Sequence, residues 1–86
     1  MHYVYILRSR MDGHLYYGYT NDLKRRLQKH LDGKVFATKS RRPLALIYYE
    51  AFLNETDARE REKYFKTGWG RNYVKKHLSQ TLREAG

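Results

Sequence analysis

The chain has 86 residues, with 18 Lys and Arg against nine Asp and Glu, a formal net charge of +9 and no cysteine. That length predicts one small domain with a thin core and no room for a recognition module beside a catalytic one, and the charge excess asks for a polyanionic partner, nucleic acid ahead of membrane. Disulfide and thiolate-metal frameworks are excluded, no run nears the roughly 18 apolar residues of a membrane span, and MHYVYIL lacks the basic start of a signal peptide, so a cytoplasmic protein with no membrane partner is expected.

Residues 2–9 (HYVYILRS) are rich in Val, Ile, Leu and Tyr and predict a strand. Asp12-Gly13 suits a type I′ turn, and residues 14–19 (HLYYGY) predict a second strand. With a two-residue turn there, Tyr5 faces Thr20 and Leu7 faces Gly18, so Tyr5 and Tyr16 share one face of the hairpin. Thr20 or Asn21 caps a helix running to about Leu31 and closed by Gly33. Leu23, Leu27 and Leu31 form its apolar stripe. At about 100° per residue, His30 and Arg26 point to the same side as Leu23.

Residues 34–42 (KVFATKSRR) form a basic loop, and Leu44 to Phe52 predict a strand whose weak alternation suggests cover on both faces. A second helix begins at Thr56 or Asp57. Ala58, Phe65 and Trp69 point in one direction along it, with Glu62 inside that stripe and Trp69 read as a packing residue. Gly68 and Gly70 end it. Residues 71–84 predict a last helix with Val74, Leu78 and Leu82 as its stripe. The order β-β-α-β-α-α gives one α+β domain over residues 1–86, a three-stranded antiparallel sheet flanked by helices.

Three polar side chains, Arg26, His30 and Glu62, intrude on apolar faces. Burying such a group without a partner costs a few kcal/mol. The three therefore either make a structural Arg–Glu pair beside a capped histidine or face one polar cleft. The strands carry two tyrosine motifs, Tyr3-Val4-Tyr5 and Tyr16-Tyr17-Gly18, and a glycine in mid-strand permits close backbone approach. His2, His14 and His77 lack metal-ligand spacing and read as bystanders.

Taken in order, Tyr3-Val4-Tyr5, Tyr16-Tyr17-Gly18, Asn21-x-Leu23-x-x-Arg26-x-x-x-His30 and Ala58-x-x-x-Glu62-x-x-x-Lys66 resemble the GIY-YIG nuclease domain, above all its small stand-alone bacterial members. The likeness runs over roughly residues 2–75. It departs from the family pattern at Tyr3, where glycine is usual, and at Tyr17, where isoleucine is usual.

The resemblance implies a metal-dependent endonuclease that hydrolyses DNA phosphodiester bonds. Tyr5 and Tyr16 would be the motif tyrosines, one of them helping to activate the attacking water. Arg26 would contact the scissile phosphate, and His30 would assist proton transfer or orient a tyrosine. Glu62 would bind one divalent metal, Mg2+ or Mn2+, and Asn72 is the candidate for a further site residue. These residue types suit the chemistry. The Arg fork matches phosphate oxygens, and one carboxylate suffices for an ion that keeps its waters and acts as a Lewis acid. A tyrosine of ordinary pKa near ~10 is a poor base at neutral pH. Arg26 and a metal beside it are expected to lower that value, so that activity rises above neutral pH.

Lys24, Arg25, Lys29, Lys34, Lys39, Arg41 and Arg42 are expected to contact backbone phosphates, giving affinity without sequence reading. The expected partner is DNA, branched or single-stranded, ahead of RNA, with a homodimer or protein partner supplying specificity. DNA repair, recombination and defence are all open to such an enzyme. The alternative is a non-catalytic DNA- or RNA-binding module on the same scaffold, with a basic protein-interaction domain behind it. Glu62 separates the first two, because a carboxylate on a pure phosphate-binding face only repels.

Overall fold

In a computed structural model, residues 1–84 are described. They form β1 (His2–Ser9), β2 (Leu15–Thr20), α1 (Leu23–Leu31), a short 3-10 turn (Lys39–Arg41), β3 (Leu44–Phe52), α2 (Glu55–Phe65), α3 (Gly68–His77) and α4 (Ser79–Glu84). Positions 85 and 86 of the expected domain lie outside the described residues. The α+β class and the β-β-α-β-α-α order hold. The expected last helix is divided at Leu78, whose backbone (φ −110, ψ 25) leaves the helical region, so α4 follows as a separate short piece. Among the described residues no helix is long and apolar enough to cross a membrane.

The sheet is antiparallel throughout, in the order β2-β1-β3. β1 is its centre, and alternation along it divides the interior in two. Val4 and Ile6 pack with Ala58, Phe65 and Val74 of α2 and α3, while Tyr5 and Leu7 pack with Leu44 and with Leu23 and Leu27 of α1.

The hairpin register differs from the expected one. Tyr5 pairs with Gly18 and Leu7 with Tyr16. The loop holds four residues, 10–13, closed by Ser9 N–H to His14 O at 2.9 Å and Gly13 N–H to Ser9 O at 2.8 Å. Gly13 takes the left-handed conformation there (φ 76). Lengthening the loop by two residues preserves parity, so Tyr5 and Tyr16 stay on one face, and it sets Gly18 directly opposite Tyr5.

Four smaller expectations are corrected. Asp22, not Thr20 or Asn21, caps α1, accepting from Arg25 N–H at 3.1 Å, because Thr20 is still paired in the sheet. Leu31 is exposed, as the last turn of α1 runs past the sheet. β3 is an edge strand with Tyr49 exposed, and its weak alternation comes from a register shift opposite Ile6 and Leu7 rather than from cover on both faces. α2 is capped by Asn54 and stops at Phe65, so Trp69 falls in α3 and is 81% exposed instead of packed.

α2 is held to β3 by an ion pair unforeseen from sequence. Arg61 Nε and Nη2 donate to Glu50 at 2.9 and 3.1 Å, and the guanidinium lies over the Phe65 and Tyr73 rings. The α2–α3 turn depends on Gly70. A Cβ there would sit 2.6 Å from Phe65 Cα and would also strike the Tyr64 carbonyl, and backbone cannot step aside. Gly70→Ala is therefore expected to cost at least about 2 kcal/mol, lowering Tm by roughly 8–16 °C. Thermal unfolding followed by circular dichroism checks this, and an unchanged Tm would contradict the contact.

Candidate active site

The centre of the site is the Tyr5 hydroxyl. Its ring is 1% exposed and crosses beneath β2 at Gly18, where a Cβ would lie 2.8 Å from Tyr5 Cε1 and nearer still to the end of the ring. Only glycine leaves that space. Having crossed, the Tyr5 oxygen meets His30 Nε2 at 2.8 Å, and His30 Nδ1 meets Thr38 Oγ1 at 2.7 Å. His30 and Thr38 are both fully buried. Arg26 Nε donates to the Tyr5 oxygen over a long 3.4 Å. The Tyr16 ring meets the His30 ring edge-on at 5.2 Å and lies 6.3 Å from Tyr5.

Tyr5 and Thr38 are both sealed from water, and each has a His30 ring nitrogen as its partner, so the imidazole joins the two hydroxyls in one buried chain. Arg26 stands at the cleft end of that chain, beside the Tyr5 oxygen, and presents its cationic fork to whatever anion enters.

Burial pushes the Tyr5 phenol above its ordinary pKa, and the hydrogen bond from Arg26 only partly offsets it. Arg26 lowers the value, as expected, but desolvation of a ring inside the core outweighs that one long contact. The Tyr5 hydroxyl in turn raises the Arg26 pKa further, with Tyr16 adding to the effect, so Arg26 is a permanent cation here. Burial and the Arg26 charge push His30 down to about 4, leaving it neutral.

Glu62, on α2, lies near enough for its charge to be felt at the Tyr5 phenol. Its side chain is 20% exposed, and Oε2 accepts from Lys66 Nζ at 3.1 Å, one helical turn on. Among the described residues Glu62 pairs with Lys66 and not with Arg26, so the structural Arg26–Glu62 pair is not formed. Among the described residues no cluster of three His, Asp or Glu side chains converges. That donor set rules out an all-protein metal cage. It fits an ion such as Mg2+, bound by one carboxylate and otherwise by water and phosphate oxygens.

Asn72 lies on the exposed side of α3 and makes no side-chain hydrogen bond to the other candidates among the described residues. Arg25 and Lys29 flank Arg26 in a concavity with Thr20, Asn21 and Asp22. Lys24 lines a different one with Tyr3 and Tyr49. Lys34 is exposed, Lys39 covers the Phe36 ring, and Arg42 Nε donates to Lys39 O at 3.1 Å. Arg41 leaves this group altogether, lying against Asp12 and His14 at the hairpin end. Thr38 was missed in the sequence. A lone threonine in a basic loop carries no periodic signal, and only the buried His30 opposite gives it a role.

The neutral, buried His30 has a consequence for stability. Its folded-state pKa is depressed below the ordinary value of 6.5, so below that pH the unfolded chain binds a proton that the folded one refuses. Stability is whole above about 6.5 and drains as pH falls towards about 4, by on the order of 3 kcal/mol. Urea unfolding at a series of pH values measures the slope. A His30→Gln variant should lose that slope, and an unchanged slope would sink the assignment.

The geometry stands beside four likenesses. A model of the GIY-YIG catalytic domain matches residues 1–80. A UPF0213 protein of Bacillus pumilus is 48% identical over 71 residues, covering 81% of this chain and 70% of the relative. One from Bacillus licheniformis is 40% identical over 84 residues, 96% of this chain and 84% of the other. The solution NMR structure of a UPF0213 protein from Bacillus halodurans is similar with a TM-score of 0.54 and 37% identity, covering 85% of this chain and 80% of that one. With that family model spanning residues 1–80, and with Tyr5 and Tyr16 on adjoining strands and both rings against His30, the chain belongs to the GIY-YIG family of nuclease domains.

Proposed function

We propose that this domain is a cytoplasmic endonuclease that hydrolyses DNA phosphodiester bonds with the help of one Mg2+ or Mn2+ ion. The observation that supports it most is the convergence of Tyr5, Tyr16, Arg26 and His30 on a cleft where the Glu62 charge is also felt. Arg26 and Tyr5 O–H bind the non-bridging oxygens of the scissile phosphate, the guanidinium fork supplying charge and the phenol a fixed dipole. Tyr5 keeps its proton in this role, since burial holds its pKa up. His30 and Thr38 orient it and store no proton themselves.

Tyr16 is the better placed tyrosine to guide the attacking water, because it is half-buried and its ring borders the cleft beside His30. Glu62 holds the divalent ion, and Lys66 must release a carboxylate oxygen for it. When bound, that ion supplies Lewis-acid stabilisation to the developing charge. Arg25 and Lys29 extend the phosphate track along α1.

The two tyrosines should separate in kinetics and stability. Tyr16→Phe is expected to cut kcat by about 10²–10⁴ with the fold intact. Tyr5→Phe is expected to lose activity and also about 1–3 kcal/mol of stability, since His30 Nε2 is left buried without its hydrogen-bond partner. Equal effects of both changes on urea unfolding would contradict this division.

The nuclease reading itself is tested by nicking of supercoiled, single-stranded and branched DNA with Mg2+ or Mn2+. Glu62→Ala should abolish cleavage and leave binding in place. If the wild type cuts none of these and Glu62→Ala only tightens binding, the domain is a binding module.

A further inference from the structure

The opposite face of the sheet carries a feature that the reading above does not use. A concavity of about 730 Å3 lies between the end of the β1–β2 hairpin and α3–α4. Arg8, Arg41, Arg71 and Lys75 line it, with His14 and Tyr17. Arg8 and Tyr17 stand on the sheet face of Val4 and Ile6, since alternation along the strands turns them away from Tyr5 and Tyr16. The groove is therefore separated from the candidate active site by the sheet itself.

Four cations from three separate parts of the chain converge there at an electrostatic cost. Arg71 and Lys75 are one helical turn apart on α3, a like-charge spacing that destabilises a helix. Arg8 is held in place by donating to the Leu82 carbonyl of α4. Among the described residues the groove's ion pairs are confined to the hairpin rim, where Asp12 Oδ2 lies 3.7 Å from Arg41 Nη1 and 3.6 Å from His14 Nδ1. No described carboxylate pairs with Arg8, Arg71 or Lys75. The fold holds this positive concavity open, and its shape and sign fit a run of backbone phosphates.

We propose that this groove is a second phosphate-backbone site, holding a nucleic-acid segment other than the one bound on the Tyr5–Tyr16 face, so that the domain bridges two arms of a branched substrate. The bridging rests on the nuclease reading. The groove does not.

An amide-resolved NMR titration with a DNA duplex about one helical turn long tests the site, with inorganic phosphate as the control. Amides of residues 13–15 and 71–75 are expected to shift as one set, and those of residues 22–30 as another. Arg71→Ala combined with Lys75→Ala should remove the first set alone. Binding of a three-way DNA junction between about 50 and 200 mM salt should lose roughly 2 from its log–log salt slope and weaken about tenfold. Both side chains are exposed, and Lys75→Gln alone, with about half the slope change, serves if the double variant does not fold.

Groove amides that ignore the duplex, or that move as far with inorganic phosphate at equal concentration, overturn the proposal. So does a junction affinity and slope unaltered by the variants. Shifts in the groove with none on the α1 face support the second site and overturn the nuclease reading with its bridging.

Discussion

The whole site depends on an absent side chain. Gly18 sits across the ladder from Tyr5 in a strand that otherwise carries large residues, and the Tyr5 ring fills the volume that a Cβ would need. Without that passage the phenol could not run under β2 to meet His30. The buried pair then fixes α1 against the sheet, because His30 is the one fully buried residue of that helix. Arg26, one turn earlier, comes to the cleft by the same docking.

Burial at this point decides which chemistry the residues can do. A phenol and an imidazole taken from water both resist ionisation, the first losing acidity and the second basicity. Side chains that pattern alone would cast as base and proton shuttle become a neutral donor and its support. Charge is left to Arg26 and Glu62, which stand nearer the solvent and on different elements. Such a division suits a thin domain: the deep layer supplies fixed geometry, and the shallow layer supplies charge.

The sequence was most informative where one local rule governed. Strand composition, the Leu23–Leu27 stripe, Gly33 closing α1 and the inward direction of Arg26, His30 and Glu62 all follow from period and caps, and the structure has them. The order of the tyrosine motifs carried the family. What failed did so at junctions. The Asp12-Gly13 turn reads as a two-residue loop, yet Ser9 and His14 close it around four. Helical extrapolation through Phe65 put Trp69 in the core, but α2 ends there and Thr67 starts a new helix by accepting from Gly70 N–H. Thr38 and the Glu50–Arg61 pair are set by tertiary contact between segments far apart in the chain, for which periodicity has no signal.

The charge excess is also partitioned by the fold more finely than the sequence implied. Ten of the 18 basic residues precede Glu50, which invites a single basic surface around α1 and the following loop. Instead Arg25, Arg26 and Lys29 line one concavity, while Arg41 is turned to the far end of the hairpin, where Arg8, Arg71 and Lys75 join it. A three-stranded sheet has two faces and this chain puts cations on both. If both faces hold phosphate backbone as proposed, they select a substrate by its shape, since a linear duplex can occupy only one of them at a time without bending.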